Sequence, residues 1–235
     1  MFSESARLYD LIYREKDYGA EVEYVAEVIH SRTPAATTLL DVGCGTGEHM
    51  RRFATDYGFR TDGIDIEPSL VALARQKLSA ARISVADMTD FDLGRTYDAI
   101  VCLFSSIGYV RTVANLQHAI TAMARHLTPD GVVVVEPWFE PGALDGGHVT
   151  CVTRDGPDGP VCRMTHTEVD GRISRLRFEY LMGTVEGLQR VSEVHELGLF
   201  SREEMIEAFQ RAGLTNVHMD IAGPSGRGLY TASRT

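Results

Sequence analysis

The sequence predicts an α/β fold in which a mainly parallel sheet carries helices on both faces and receives an inserted antiparallel meander. Three observations support this fold class. Short apolar runs alternate with helix-patterned segments over the first 137 residues, a glycine cluster follows the first apolar run, and residues 148–199 alternate with period two instead. Strands that alternate with helices are typical of a parallel sheet wrapped on both sides.

The parallel part can be followed element by element. Residues 17–29 place Tyr18, Val22 and Ile29 at helical spacing, and the helix must end before Pro34. The first strand covers residues 38–42. Further helices are predicted over residues 68–77 and 113–126, and further strands over residues 61–64, 82–85, 97–103 and 131–136.

The segment from about 148 to 199 is predicted as an antiparallel meander. Residues 149–153, 161–165 and 174–178 alternate with period two, and glycine-containing turns at 155–160 and 170–171 separate them. Ser201 then caps a helix that closes at Gly213, and a hairpin forms around residues 223–226. We therefore expect one domain over residues 1–235, with a cofactor-binding core at 35–147, a β insertion at 148–199 that contributes to the substrate site, and residues 200–235 completing the core.

Composition narrows the function classes. A net charge of −10 provides no basic field for a phosphate backbone, so nucleic acid is disfavoured and a small-molecule substrate is expected. The four cysteines form no CxxC pair, which predicts free thiols and no metal site. The sequence shows neither a signal peptide nor an apolar span long enough for a bilayer, which predicts a cytoplasmic protein without membrane contact.

The strongest local signal is the sequence LLDVGCGTG at residues 39–47. A buried strand runs into glycines that permit a tight turn and a close backbone approach to a ligand at the next helix N-terminus. The spacing is GxGxG, and Glu48 and Met50 occupy the places where a dinucleotide fingerprint would carry its third glycine. A nicotinamide enzyme is therefore disfavoured.

Two further elements follow at the ends of the next strands. Asp65 lies about twenty residues past the glycines, where a carboxylate can accept hydrogen bonds from both hydroxyls of a ribose. Asp87 and Met88 follow the third strand, where an acid can bind an adenine amine and a methionine can pack on the ring. The three elements in this order are much more specific than any one alone.

Over residues 35–137 this combination resembles the class I, Rossmann-like S-adenosylmethionine-dependent methyltransferases. The resemblance implies S-adenosylmethionine as cofactor and S-adenosylhomocysteine as product, without a metal. It implies that Asp41 and Gly43 face the methionine end, that Asp65 holds the ribose and that Asp87 holds the adenine. The complete set of cofactor residues expected on this basis is Tyr9, Tyr18, Asp41, Gly43, Gly45, Asp65, Ile66, Asp87, Met88, Leu103 and Ser106.

A closer resemblance covers nearly the whole chain. It is carried by the sequences LYDL (8–11), KDY (16–18), FSSIG (104–108), VVVVEPW (132–138) and GPSGRGL (223–229). These resemble the sugar N,N-dimethyltransferases that finish desosamine and mycaminose on a thymidine diphosphate carrier. The resemblance implies N,N-dimethylation of a nucleotide-linked amino sugar, and relatives suggest a homodimer.

The closer resemblance also nominates the substrate residues. Tyr9 and Tyr18 are expected to close over the cofactor. The SSIG sequence is followed by histidine in some relatives and by Tyr109 here, which puts a simple histidine-base mechanism in doubt. Tyr109 and Glu136 are the candidate catalytic residues, as proton acceptors or orienters, and His126, His166 and His195 are assigned structural roles. The expected substrate-binding residues on this basis are Ser105, Tyr109, Glu136, Trp138 and Arg227. Arg175 and Arg177 are added because they share one face of a meander strand by the period-two rule, where they either add positive charge to the site or form the solvent-exposed side of the strand.

Two alternatives stay open at this point. The cofactor motifs would serve equally well in an O- or N-methyltransferase of another small acceptor, such as another sugar or a polyketide hydroxyl. A protein that binds S-adenosylmethionine without catalysis would also carry them. Arg227 separates the first alternative from the amino-sugar hypothesis, because a diphosphate-bearing substrate needs a cationic contact. A blocked substrate cleft would favour the second.

Overall fold

The computed structural model describes residues 5–234, and its architecture is a seven-stranded sheet with a separate four-stranded antiparallel sheet. The order of the larger sheet is β10-β11-β5-β4-β1-β2-β3, and β11 runs antiparallel to β5 whereas β1 to β5 are mutually parallel. Its strands are β1 (Thr38–Val42), β2 (Arg60–Asp65), β3 (Ile83–Val85), β4 (Tyr97–Cys102), β5 (Leu127–Val135), β10 (Thr215–Asp220) and β11 (Leu229–Ser233). The predicted α/β class and the terminal hairpin are confirmed.

Helices cover both faces of this sheet, as expected for strands that are apolar at successive positions. They are α1 (Tyr9–Ile12), α2 (Tyr18–Arg32), α3 (Glu48–Tyr57), α4 (Pro68–Lys77), α5 (Val113–Arg125) and α6 (Arg202–Arg211). Leu39 packs with α2 and α3 on one face, and its neighbour Leu40 packs with α5 and α6 on the other. The core therefore has two halves that sandwich the sheet.

The β insertion is one continuous antiparallel sheet ordered β6-β7-β8-β9. The strands are β6 (Val149–Gly156), β7 (Gly159–Asp170), β8 (Ile173–Thr184) and β9 (Gly187–Gly198). They are longer than predicted, and β9 was not among the predicted strands. Its first third, from Gly187 to Arg190, reads Gly-Leu-Gln-Arg and is exposed throughout, so the sequence there shows no sustained apolar alternation of the kind that signals a strand.

Two short segments connect the insertion to the larger sheet. The N-terminal segment, defined here as residues 5–17, packs Leu8 and Ile12 against Phe178 and Tyr180 of β8. A 3-10 turn at Ser106–Val110, directly after β4, lies against β9. Gly108 permits this close approach, because a Cβ there would lie 3.0 Å from a methyl of Leu197 and 3.2 Å from the Cβ of Trp138. The insertion therefore lies over the carboxyl ends of the parallel strands.

Candidate active site

A cavity of about 890 Å³ separates the carboxyl ends of the parallel strands from the inner face of the β insertion. It lies where the strand order reverses, because β2 and β3 extend to one side of β1 whereas β5 lies on the other side of β4. Open α/β sheets bind ligands at this position. Both sheets contribute to its lining, including Gly43, Asp65, Met88, Tyr109, Phe178 and Arg227.

The glycine turn after β1 forms the floor of one half of the cavity. Gly43, Gly45 and Gly47 have φ values of 79°, 55° and 79°, a region that favours glycine. A Cβ on Gly43 would also lie 2.7 Å from the Cβ of Ser106. The absence of side chains therefore keeps the backbone close to the space above it and lets Ser106 approach from the end of β4.

Asp65 lies at the end of β2 and lines the cavity, as predicted. Its carboxylate accepts hydrogen bonds from the backbone N–H of Gly45, at 2.8 Å, and of Glu67, at 2.9 Å. Burial raises its pKa although these hydrogen bonds oppose the shift. Asp65 therefore links the glycine turn to β2 and presents the remaining acceptor capacity of its oxygens to a ligand.

Asp41 is 1% exposed, and its Oδ2 has no hydrogen-bond partner among the described residues. Burial, with the nearby charge of Asp65, raises its pKa to about 7. A buried carboxyl oxygen without a partner is costly and calls for a donor or a cation. The ammonium and sulfonium groups at the methionine end of S-adenosylmethionine supply such charges, so the residues present fit that cofactor.

Beyond Asp65 the cavity is lined by Ile66, Asp87 and Met88, the residues expected to hold the adenine. Ile66 is 45% exposed, which leaves an apolar surface available for a ring. One oxygen of Asp87 accepts hydrogen bonds from the N–H and hydroxyl of Thr89, both at 2.8 Å. Asp87 therefore caps the turn after β3 while it faces the cavity.

The N-terminal segment closes the cavity from above. Tyr9 lines it, with its hydroxyl near Gly45, whereas Tyr18 packs on His49 outside the cavity lining. Asp10 binds the hydroxyl of Thr46 at 2.6 Å and Lys77 at 2.6 Å, which fastens the segment to the glycine turn and to α4. The structure therefore brings Tyr9 to the site, but Tyr18 only supports the helix behind it.

Two of the predicted residues at the end of β4 act through the fold. Leu103 is 3% exposed within the apolar core, and the hydroxyl of Ser105 donates to the carbonyl of Pro137 at 2.7 Å. Neither lines the cavity, in contrast to Ser106. Both side chains point into the protein, and Ser105 adopts a left-handed conformation, with φ of 59°, at the turn.

Glu136 holds Arg227 at the far end of the cavity. Its carboxylate accepts hydrogen bonds from the N–H of Phe104 at 2.6 Å, from Arg227 Nη2 at 2.7 Å and from the hydroxyl of Ser225. It is 1% exposed and outside the cavity lining. These three donors occupy the carboxylate, which favours a positioning role for Glu136 and departs from the expectation that it accepts a proton from substrate.

Arg227 and Trp138 lie where the main cavity meets a second one of about 450 Å³. The guanidinium of Arg227 stacks near the rings of Phe104 and Trp138, and its Nε has no partner among the described residues. Trp138 donates its indole N–H to the hydroxyl of Ser174 at 2.8 Å. Both predicted residues are therefore fixed at the passage between the two cavities.

The predicted pair Arg175 and Arg177 lies elsewhere. Their partners in ion pairs are Glu196 and Asp170 for Arg175, and Glu168 for Arg177. They occupy the face of β8 opposite to Leu176 and Phe178, which line the cavity. Period two correctly placed both arginines on one face, but that face is the outer one, so the expectation that they bind substrate is not met.

Sequence reasoning missed several cavity residues that come from the inner face of the insertion. Arg163 of β7 is 8% exposed, stacks on Tyr13 and Phe178, and donates to the hydroxyl of Tyr13 at 2.9 Å. His195 of β9 lies 2.9 Å from the Tyr109 hydroxyl, so its assignment as a purely structural histidine needs correction. Only the pairing of strands far apart in sequence brings these residues to the site.

Comparison with known proteins agrees with this geometry. A family described as a methyltransferase domain matches residues 39–131. The dTDP-3-amino-3,4,6-trideoxy-alpha-D-glucopyranose N,N-dimethyltransferase of Streptomyces venezuelae is 40% identical, over 97% of this chain and 96% of its own length.

Solved structures are equally similar. The crystal structure of Streptomyces venezuelae DesVI has a TM-score of 0.92 and 39% identity and covers 99% of both chains. The S-adenosylmethionine-bound CalS10, an amino pentose methyltransferase from Micromonospora echinaspora involved in calicheamicin biosynthesis, has a TM-score of 0.87 and 38% identity over 97% of both chains.

The fold, the glycine turn and the carboxylates at the strand ends define an S-adenosylmethionine-dependent methyltransferase. The similarity to the Streptomyces enzyme over almost the full length of both proteins goes further. The chain belongs to the family of dTDP-amino-sugar N,N-dimethyltransferases. Within residues 5–234, every helix is too short or too polar to cross a membrane.

Proposed function

We propose that the protein transfers methyl groups from S-adenosylmethionine to the amino group of a nucleotide-linked sugar, twice in succession. The observation that carries this proposal is the shape of the site. The main cavity runs from Asp65, in the cofactor half, to Arg227, where the second cavity begins. This arrangement provides room for a sugar beside the methyl donor and for its carrier beyond Arg227.

Arg227 supports a diphosphate-bearing substrate. The guanidinium donates through Nη2 to Glu136 and retains further donors in a planar fork that suits a pair of phosphate oxygens. Its stacking against Phe104 and Trp138 holds that fork in one orientation. Glu136 balances the charge of Arg227, but the guanidinium keeps an Nε–H without a partner among the described residues, and this donor favours an anionic ligand at the passage between the two cavities.

Methyl transfer depends mainly on the alignment of the amine with the methyl donor. The cofactor supplies an electrophilic methyl group, and the chain must hold an uncharged amine in line with it and exclude water. Positioning of this kind can contribute ~7–11 kcal/mol to lowering a barrier. We assign cofactor binding to Tyr9, Asp41, Gly43, Gly45, Asp65, Ile66, Asp87, Met88 and Ser106, and substrate contacts to Tyr109, Trp138 and Arg227.

We also propose that the protein is a homodimer, formed through the outer face of the β insertion. Large apolar side chains stand exposed on that face, at 52%, 48%, 45% and 45% for Val149, Met164, Leu181 and Val194. Met164 of β7 and Leu181 of β8 are diagonal neighbours, because Met164 pairs with Glu179, two residues before Leu181. A second copy would cover this face.

Substitution of Arg227 tests the carrier-linked assignment. The variant Arg227→Ala should lower kcat/KM for a nucleotide-linked amino sugar by ~10–100-fold, as expected for a lost hydrogen bond to a charged group. Affinity for S-adenosylmethionine should not change, and Arg227→Lys should recover only part of the loss, because an ammonium lacks the planar fork. Steady-state kinetics and titration calorimetry measure these effects.

The matched control is Arg190→Ala, which removes an arginine whose side chain is 71% exposed and paired with Glu179 on the insertion. It should leave kcat/KM unchanged. Wild-type kinetics in Arg227→Ala would favour an acceptor without a diphosphate. An equal loss in the control would show that the effect is not specific to Arg227 and would contradict its assignment.

A further inference from the structure

A chain of hydrogen bonds leads from the cavity into the β insertion. The hydroxyl of Tyr109, in the 3-10 turn that follows β4, lies 2.9 Å from Nδ1 of His195. Nε2 of His195 lies 3.4 Å from Oε2 of Glu193. Glu193 in turn accepts from the N–H of Ser5 at 3.0 Å and from its hydroxyl at 2.5 Å. Polar groups from three distant parts of the sequence are thus connected.

The chain is shielded from solvent. His195 is 1% exposed and Glu193 is 8% exposed. The ring of Phe178 covers His195, with centroids 4.7 Å apart. Buried polar networks are retained only when their members are satisfied, and low polarity strengthens each bond within them. A titratable pair this deep in an enzyme beside its reaction cavity is therefore a candidate for proton transfer.

The partners of His195 determine its tautomer. An ionised carboxylate accepts hydrogen bonds and donates none, so Glu193 requires the proton of the imidazole on Nε2. Nδ1 is then unprotonated and accepts the hydrogen bond of the Tyr109 hydroxyl. The arrangement resembles a base that is oriented by an acid behind it, a combination that recurs among proton acceptors in enzymes.

We infer that Tyr109, His195 and Glu193 form a proton relay for the amine, an inference that rests on the proposed function. The amine nitrogen uses its lone pair to form the new N–C bond as the C–S bond breaks, and that bonding pair stays on sulfur. The resulting ammonium gives one proton to the Tyr109 oxygen, and Tyr109 passes its hydroxyl proton to Nδ1 of His195. The imidazolium is stabilised by Glu193 and later returns the proton through Tyr109 to solvent.

The proton relay is needed between the first and the second methyl transfer. The first transfer leaves a monomethyl ammonium without a lone pair, so a second transfer requires that one proton leaves first. Tyr109 is the catalytic residue of this step because it lines the cavity. His195 and Glu193 act through Tyr109 and are positioning residues for the proton.

The electrostatics agree with a resting relay in which Tyr109 and His195 are neutral and Glu193 is ionised. Burial raises the pKa of Tyr109 and lowers the pKa of His195, so both are uncharged before reaction. Burial works against ionisation of Glu193, but hydrogen bonds from His195 and Ser5 hold its pKa below the usual value. Within residues 5–234, the other titratable groups that act on the relay from neighbouring elements are Tyr9, Tyr13, Asp65, Arg163 and Tyr180.

The test compares His195→Gln, Glu193→Gln and Tyr109→Phe with wild type between pH 6 and 9.5, using an amino-sugar nucleotide and mass spectrometry to separate mono- from dimethylated product. At pH 7 we expect kcat to fall by ~100-fold or more in His195→Gln. KM should change little, and monomethyl product should accumulate. Above the pKa of the product ammonium, where solvent removes the proton, all three variants should approach wild type.

The matched control is His166→Gln, because His166 lies on the outer face of the same insertion and pairs with Glu168 at 3.7 Å. It should retain the wild-type pH profile. Circular dichroism checks the fold, and Glu193→Gln is nearly isosteric, so a packing defect would not account for its loss.

A readout independent of activity uses the unliganded protein. Nitrogen-15 NMR of the imidazole should show Nε2 protonated and Nδ1 unprotonated, and Tyr109→Phe should shift the Nδ1 resonance. The opposite tautomer overturns the relay, as do variants whose pH profile and product ratio match wild type. A wild-type enzyme that methylates no amine refutes the proposed function and the relay with it, whereas an active wild type with unaffected variants refutes the relay alone.

Discussion

At the scale of single residues, two carboxyl groups distinguish the glycine-turn half of the site: the half-buried Asp65, which lines the cavity, and the buried Asp41, which lies outside the cavity lining. Asp65 is already engaged by backbone N–H groups of the glycine turn, whereas Asp41 carries an oxygen without a partner among the described residues. The two therefore have different tasks. Asp65 organises the turn, and under the proposed function it binds the ribose hydroxyls whereas Asp41 balances the positive charge of the cofactor.

The raised pKa of Asp41 predicts proton release on cofactor binding. In the folded chain its pKa is about 7, so the carboxyl holds a proton over much of the population at pH 6. A positively charged ligand favours the ionised form and lowers this pKa, so binding at pH 6 should release a proton and binding above pH 8 should release almost none. Titration calorimetry in two buffers of different ionisation enthalpy measures the release.

Asp41→Asn provides the control, because the amide cannot ionise. It should abolish the pH-dependent release and weaken binding. Equal proton release in the variant and in wild type would place the titrating group elsewhere. The same pKa implies that folding stability of the unliganded protein falls as pH rises from about 4 to 7, since the folded chain then holds a proton that the unfolded chain has lost.

The sequence indicated the relative positions of residues near the ends of the parallel strands. Asp41, Asp65 and Asp87 follow buried runs whose carboxyl ends must lie on one edge, so sequence order places them together. Arg175 and Arg177 failed because period two shows which residues share a face without showing which face meets the cavity. Arg163 and His195 were missed because the contacts of Arg163 with Tyr13 and of His195 with Tyr109 join residues more than 80 positions apart in the sequence.

The helices and the β insertion differ at the scale of elements. The helix at Pro68–Lys77 has its predicted bounds, because a proline at its first position and the capping side chain of Glu67 define its start. The capping box of Ser201 and Glu204 defines the start of α6 equally well. Strands of the insertion have no such markers, and their length depends on partners, which explains why β9 was missed.

The outer face of the β insertion leads to a prediction about assembly. Replacing Met164 and Leu181 by arginine should give a monomer by sedimentation velocity, because a second copy would bury these side chains and desolvate the new charges. Replacing Val185, which is fully exposed at the tip between β8 and β9, by arginine is the control and should keep the wild-type mass. A wild-type protein that sediments as a monomer would contradict the proposed dimer.

The whole molecule combines a cofactor-binding sheet with two covers. The N-terminal segment connects the glycine turn to the insertion, because Asp10 binds the glycine turn and its neighbours Leu8 and Ile12 pack on the insertion. The insertion supplies the opposite wall of the cavity. The residues proposed to bind the cofactor come largely from local motifs, whereas those proposed to contact the substrate come from distant segments, so the sequence indicates the first group more directly than the second.

The central claim is that this enzyme dimethylates an amine on a carrier-linked sugar, and one measurement tests it most directly. Purified protein and S-adenosylmethionine are incubated with 3-amino and 4-amino hexose nucleotides, with the same amino sugars lacking the nucleotide, and with nucleotide sugars that carry a hydroxyl in place of the amine. Mass spectrometry then counts the methyl groups transferred. We predict a gain of two methyl groups on an amino-sugar nucleotide and no comparable gain on the other acceptors. Equal methylation of the free amino sugar or of the hydroxyl analogue, or no methylation of any amino-sugar nucleotide, would contradict the claim.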